Sequence, residues 1–417
     1  MKSLLKLLFF VLFCYNLFAE TPEKIFEHLN KMILDVPKST KMAVMIYNPL
    51  TQDTLFSINH TTSMIPASNT KLFTTATALE LMGGDYLIST KLFADDKDFS
   101  DGRLDGNIYL KGFGNPTFTT QDLEELVSKL YQSGLRKITG NIYGDDTFFD
   151  NVYSRDDWIS EEKANVTLPP ISALIIDRNR TIVSKKRKGR YRNYFVNVQD
   201  PPLFAAKKLK EKLVEFGIES DGKTLSGQTP GNAIPLLESS IELRKLIQEI
   251  NKHSDNFYAE CLFKTVGSVF SGRQGNSFYS TQAILNFIED NSIYSTGTKL
   301  VDGSGISRFD QVTAGAIVGL LEKVYFNIDQ YDDFFNSLSI AGVDGTLHRR
   351  MISTSAENNF RGKTGTLNGV SSLAGYIRTS NDDDLIVCIM FEFKEGGANK
   401  HKNIQDKIVE YLAELKN

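Results

Sequence analysis

Apolar positions Ile25, Leu29, Met32 and Ile33, following Thr21-Pro22-Glu23, repeat with the period of an amphipathic helix that carries a proline near its first turn. Two strand-like runs at 42–47 and 54–58 come next, joined by the turn-rich Asn48-Pro49-Leu50-Thr51. Residues 68–82 contain neither Pro nor Gly and end at Gly83-Gly84, which predicts a long helix with a glycine stop. Between 86 and 234 Gly and Asp recur at short intervals, as in Asp101-Gly102, Asp105-Gly106 and Gly144-Asp145-Asp146. This pattern predicts an inserted domain of short strands with helices at 121–133 and 203–216. From about 235 the period is helical again, at 241–250 and 257–270, and two strands follow at 370–378 and 385–393. The second strand opens with seven consecutive apolar residues, Leu385 to Phe391, which predicts burial on both faces and a central place in a sheet. The closing helix carries Ile404, Ile408, Leu412 and Leu415; Asp406, Glu410 and Glu414 balance its lysines, so packing on the sheet is favoured over lying on a membrane. There is no internal repeat.

The first residues stand apart. Lys2 and Lys6 flank an apolar run at 7–13, too short for a helix to cross about 30 Å of hydrocarbon, and Leu17 with Ala19 offers a cleavage site. Residues 1–19 therefore read as a secretory signal peptide, and the chain as exported. Cys14 is the candidate for a lipoprotein anchor, but bulky Phe13 occupies a place where a small residue is expected. Two further cysteines, Cys261 and Cys388, lie in apolar runs; the reading is buried free thiols, with a disulfide permitted by export. With 417 residues, 41% of them hydrophobic and 24% charged, the chain has the composition of a multi-domain globular protein. Its net charge of -4 argues against a nucleic-acid partner. One strongly basic run, 185–192, reads first as a solvated surface loop and second as a contact for an anionic wall polymer or lipid headgroups.

Familiar sites are missing from the sequence. The five histidines lack the spacing of a helical zinc site, and there is no Cys-x-x-Cys pair, phosphate-binding loop or Gly-x-Ser-x-Gly elbow. A serine and lysine arrangement remains. Ser68-Asn69-Thr70-Lys71 opens the helix that ends at Gly83, which puts the lysine one turn from the serine on the same face. An unprotonated lysine can take the serine proton, and N–H groups at the helix start can hold an oxyanion. Alone, the spacing says little, because Ser-x-x-Lys also occurs at 3–6, 160–163 and 220–223. Two more signals join it: Ser254-Asp255-Asn256 at the start of a helix, and Lys363-Thr364-Gly365-Thr366 before the C-terminal strand pair. Ser-x-x-Lys, Ser-Asp-Asn and Lys-Thr-Gly together are the set associated with penicillin-binding proteins and class A β-lactamases.

With these three motifs, and with Val301-Asp302-Gly303-Ser304-Gly305-Ile306-Ser307-Arg308, 341–347 and 369–376, the chain resembles peptidase family S13, the class C low-molecular-mass penicillin-binding proteins. The resemblance implies an α/β, β-lactamase-like transpeptidase fold, an antiparallel sheet flanked by helices, built from 20–85 plus 235–417 with a mixed α/β accessory domain at 86–234. The insert is shorter than in the larger members, so one of their two accessory domains is expected to be reduced or absent. The implied enzyme is a periplasmic D-Ala-D-Ala carboxypeptidase or endopeptidase acting on peptidoglycan peptides and acylated by β-lactams, without metal or cofactor. Carried over by motif, Ser68 is the nucleophile, Lys71 its base, Ser254 a proton relay, and Asn256 a holder of Lys71 and substrate. Lys363 would keep Lys71 deprotonated by like-charge proximity and attract the substrate carboxylate; Thr364, Gly365 and Thr366 would frame that carboxylate and the oxyanion. Arg308 and Asn368, with Asp145 and Phe149 by looser register, would grip the stem-peptide side chain; the alternative for Asp145 is a turn residue. Asp302 and Asp344, each followed by Gly, read as turn formers. Two rivals stay open: a β-lactamase or esterase on the same frame, and a non-catalytic penicillin-sensing wall-binding module.

Overall fold

The computed structural model describes residues 21–99, 101–158, 168–187 and 190–416, so the signal peptide and Cys14 lie outside the described residues. Its main sheet has six antiparallel strands, in the spatial order Ser339–Ile340, Arg361–Leu367, Val370–Arg378, Asp384–Glu392, Lys41–Asn48 and Asp53–Ile58. The apolar run lies in the middle, between Val370–Arg378 and Lys41–Asn48, as its pattern requires. Side chains alternate across a strand. Ile386, Cys388 and Met390 accordingly join one core, while Leu385, Val387, Ile389 and Phe391 join the other.

On the first face pack the helices Thr70–Met82, Leu243–His253, Asn256–Ser271, Ser277–Asp290, Ala314–Phe326 and Ile328–Ser337. Thr70–Met82 is buried through residues 70–79, which explains its lack of a polar face. The other face is covered by the first helix, Pro22–Leu34, and the last, Gly397–Glu414. Ile404, Ile408 and Leu412 of the last helix are buried against the sheet, and Arg350 holds it from the side through Asp406. The expected helix from residue 68 starts two residues later: Ala67–Asn69 is a tight 3-10 turn, and the α-helix begins at Thr70. Ala67 has a φ of 48°, a left-handed backbone in which the helix cannot propagate.

The insert forms its own five-stranded sheet, ordered Thr224–Ser226, Ile142–Asp145, Ile108–Gly112, Leu87–Ala94 and Ile234–Glu242. The helices Thr120–Gln132 and Pro201–Glu215 close a separate core over it. The entering and leaving strands pair with each other, from Leu87 opposite Glu242 to Ala94 opposite Ile234. The boundary expected at 234 therefore falls at the start of the closing strand, because that strand's hydrogen bonds belong to the insert's sheet. The basic run is likewise not a loop. It is the outer half of a separate two-stranded hairpin, Arg180–Arg187 with Arg190–Asn197. Cys261 and Cys388 are both free and buried, and burial pushes both thiols up.

Removing the buried side chain that clamps the last helix tests this packing. Ile408→Ala should lower unfolding free energy by about 2–5 kcal/mol in a denaturant titration, whereas substitution of exposed Glu414 should change it little.

Candidate active site

Three oxygen atoms converge on one amine. Lys71, completely buried in the first full turn of its helix, lies 3.0 Å from Ser68 Oγ in the preceding turn. Its Nζ also donates to Asn256 Oδ1 at 2.6 Å and to the Ser304 carbonyl at 2.6 Å. The last two atoms can only accept. When Lys71 loses a proton its two remaining N–H bonds stay on those acceptors, and the lone pair is left facing the Ser68 hydroxyl. That is the arrangement of a base and its nucleophile.

Loss of that proton is favoured by burial, which brings Lys71 down to about 8, against the opposing pull of Asp302, Glu260, Asp255 and Asp310. The carboxyls nearby are themselves altered. Burial, then Asp302, raises Glu260 to about 8 and holds Asp310 well above the usual carboxylate range. Both shifts favour the neutral carboxyl, which weakens the hold of these groups on the Lys71 proton.

The Ser304 carbonyl is placed by a loop wound around these acids. Asp302 accepts from the backbone N–H groups of Ser304, Gly305 and Ser307 at 3.2, 2.7 and 2.8 Å, and from Trp158 Nε1 at 3.0 Å. Glu260 accepts from Gly303 N, and Asp310 from Val301 N and Thr70 Oγ1. Gly305 has a φ of +78° and its backbone presses on the serine turn, since an added Cβ would lie 1.9 Å from the Ala67 carbonyl oxygen. Asp302 and Asp344 are turn formers as expected; Asp344 accepts from Ile340 N at 2.8 Å.

Ser254 links two helices in a left-handed conformation, φ 56° and ψ 37°, which turns its Oγ to 2.9 Å from Lys363 Nζ. Asp255, the N-cap of the next helix, accepts from Tyr258 N and binds the Arg178 guanidinium by two hydrogen bonds of 2.8 and 2.9 Å. Lys363 precedes the strand pair as expected, on a further strand, Arg361–Leu367, and is fully buried. Burial lowers it well below its ordinary value, and the Lys71 charge adds to this. Burial is thus the main reason Lys71 is depressed, in place of the like-charge effect expected from Lys363. Gly365 brings the strand against the serine turn: a Cβ there would lie 2.2 Å from Ser372 Oγ and 2.7 Å from the Pro66 carbonyl oxygen. Ser372 Oγ donates to that same carbonyl at 2.7 Å. Thr364 Oγ1 donates to Thr346 Oγ1 at 2.9 Å, while Thr366 is exposed.

Ser68, Lys71, Ser254, Asn256, Lys363 and Thr364 are therefore joined through Lys71 and the strand that carries Lys363. Arg308 Nη2 donates to the Asn368 carbonyl, and both residues line one surface depression with Ile65 and Glu392. Asp145 and Phe149 do not join them. Asp145 is fully buried in the insert, where its carboxylate accepts from Thr147 and Thr229 N and pairs with Lys111 at 3.1 Å. Phe149 is 2% exposed and packs on Gly114 and Gly275. Asp145 ends the strand Ile142–Asp145, and its Oδ1 accepts from Thr147 N two residues on, at the start of a turn. Arg178, Ser304, Glu260, Asp310 and Thr346 were not singled out from the sequence. Ser304 and Thr346 lie inside the quoted segments 301–308 and 341–347, which was the available signal.

The profile of the D-Ala-D-Ala carboxypeptidase 3 (S13) family matches residues 25–193 and 187–415. The chain belongs to this family. Among its curated relatives is the D-alanyl-D-alanine carboxypeptidase of Actinomadura sp. strain R39, 27% identical over 89% of this chain and 81% of that one. Another is D-alanyl-D-alanine carboxypeptidase DacB of Haemophilus influenzae, 24% identical over 92% and 91%. The crystal structure of penicillin binding protein 4 from Haemophilus influenzae superposes with a TM-score of 0.80 at 23% identity, covering 93% of this chain and 99% of that one. A predatory endopeptidase of Bdellovibrio bacteriovorus shares the fold at a TM-score of 0.57 and 16% identity, over 91% and 95%. S13 membership makes this chain a serine-type carboxypeptidase on a penicillin-binding-protein fold.

A base that must be neutral imposes a pH dependence of definite sign. The rate of acylation by a penicillin should rise with pH and reach half its plateau near the Lys71 value of about 8. A rate that falls through this range in a stopped-flow assay would exclude Lys71 as the base.

Proposed function

We propose that this S13 enzyme is exported and removes or cleaves D-Ala-D-Ala bonds in peptidoglycan peptides through a Ser68 acyl-enzyme, and that β-lactams acylate the same serine. The single observation that carries the reading is the Lys71 amine, buried and held by two pure acceptors so that its lone pair faces Ser68 Oγ at 3.0 Å. Ser68 Oγ attacks the carbonyl between the two D-alanines as Lys71 takes its proton. The oxyanion forms against the backbone N–H groups of Ser68 and Thr366, at the junction where Gly365 meets the serine turn. The proton taken by Lys71 passes through Ser254, hydrogen-bonded to Lys363, to the departing amine, which leaves Lys71 neutral again. Lys363, Thr364 and Thr366 hold the terminal carboxylate, and Arg308 with Asn368 contacts the side chain of the stem peptide. Water, activated by Lys71, then breaks the ester and restores the serine.

Likeness to the Haemophilus protein, also solved in complex with a β-lactam, supports the acylation step. The apolar run at residues 7–13 and the target itself, a wall polymer, support export. Terminal trimming and cross-link cleavage both present a D-Ala carbonyl to Ser68, so one site serves both reactions.

Intact mass after penicillin exposure, combined with product analysis on purified cross-linked muropeptides, tests this reading. We expect a penicilloyl adduct on Ser68 and release of D-Ala or dimer cleavage, with both lost and turnover reduced by at least about 10³-fold in Ser68→Ala. Rapid penicillin turnover without muropeptide cleavage would overturn it in favour of a β-lactamase, and neither adduct nor cleavage in favour of a binding module.

A further inference from the structure

The hairpin Arg180–Arg187 and Arg190–Asn197 is the one strongly basic element of an acidic chain, and the catalytic reading makes no use of it. No Asp or Glu occurs from Arg180 to Asn197, whereas Arg180, Lys185, Lys186, Arg187, Arg190 and Arg192 all lie on its two strands. Cross-strand partners share a face in an antiparallel pair. Register therefore sets Ile182 beside Phe195 and Lys186 beside Tyr191 on one face, and Lys185 beside Arg192 and Arg187 beside Arg190 on the other.

Three large apolar or aromatic side chains stand exposed on the first face. Ile182 is 55% exposed, Phe195 73% and Tyr191 72%, with Lys186 Nζ over the Tyr191 ring. Only the base of the hairpin is tied down, by Val198 N to the Asn179 carbonyl and Asn197 Nδ2 to the Leu168 carbonyl. Beyond that base neither strand pairs with any other sheet, and the residues from 184 to 195 are exposed where described.

We propose that this hairpin docks on an anionic phospholipid surface. Tyr191, Phe195 and Ile182 enter the interface beside Lys186, while Lys185, Arg187, Arg190 and Arg192, on the opposite face, add attraction to the anionic surface. The apolar pair decides between occupants. A polyanionic wall polymer needs the cations alone, whereas a lipid interface rewards cations and exposed aromatic and aliphatic groups on the same element. Among the described residues no helix is long and apolar enough to cross a membrane, so this contact would be peripheral and salt-sensitive.

The test is co-sedimentation of the full chain with vesicles of phosphatidylcholine alone or containing phosphatidylglycerol, beside isolated peptidoglycan sacculi carrying their anionic polymers. We expect binding to the anionic vesicles that weakens at least tenfold in raised salt, in Ile182→Ser/Phe195→Ser and in Lys185→Glu/Arg192→Glu, with penicillin acylation unchanged as the check on folding. Three results overturn the proposal: equal binding to both vesicle types, binding unaffected by Ile182→Ser/Phe195→Ser, or binding to sacculi in place of vesicles. Because acylation is read separately, failure here leaves the catalytic reading standing, and loss of acylation in wild-type protein would not touch the hairpin result.

Discussion

Taking an ammonium group out of water costs several kcal/mol, and this fold charges that cost against the protonated form of Lys71, at the place where a neutral amine is useful. The fall from 10.5 to about 8 is worth roughly 3 kcal/mol. At neutral pH it raises the neutral fraction from roughly one in three thousand to about one in ten. Burial alone would not suffice, because an unsatisfied amine would be costly in either state. Asn256 and the Ser304 carbonyl supply two acceptors without adding a carboxylate beside the amine.

The surrounding acids follow from the same constraint. A loop that must offer a backbone carbonyl to Lys71 leaves several N–H groups buried, and Asp302 collects three of them. A second and third carboxyl, Glu260 and Asp310, finish the loop. Were all three ionised, their summed charge would fix the proton on Lys71 and silence it as a base. Lack of water and proximity to Asp302 push both of the others toward the neutral form, so the cluster serves as structure while its pull on Lys71 is weakened.

Much of this was legible in the sequence, for local reasons. The unbroken apolar run from Leu385 to Phe391 has one structural solution, a strand covered on both faces, and that strand orders the sheet. The three short motifs named side chains that the fold brings together, Ser68, Lys71 and Asn256 around one amine and Ser254 beside Lys363. What stayed hidden depends on distant partners. Nothing near Arg178 in the chain signals its pairing with Asp255, and nothing near Asp145 signals that Lys111 and Thr229 N enclose its carboxylate. The expected boundary at 234 meets the first residue of a strand for a related reason. The pattern at 234–242 fits several elements, and only pairing with Leu87–Ala94 assigns it to the insert's sheet.

The insert is not simply a module added to a finished catalytic frame, because residues 150–158 and Arg178 contact that frame beside the site. Asp150 and the Val152 carbonyl hold Lys264 on the helix that Asn256 begins. Asp157 accepts from Ser307 Oγ at 2.6 Å, and Trp158 donates to Asp302, both in the loop that supplies the Ser304 carbonyl. Arg178, itself at a left-handed φ of 58°, clamps the Asp255 cap and covers Phe257 and Tyr258 with its guanidinium. Residues 150–158 and Arg178 thus touch both structures that deliver acceptors to Lys71. A lysine base in this fold is therefore held by two parts of the chain that are far apart in sequence, and the strained turns at Ser254 and Arg178 fall where those parts meet.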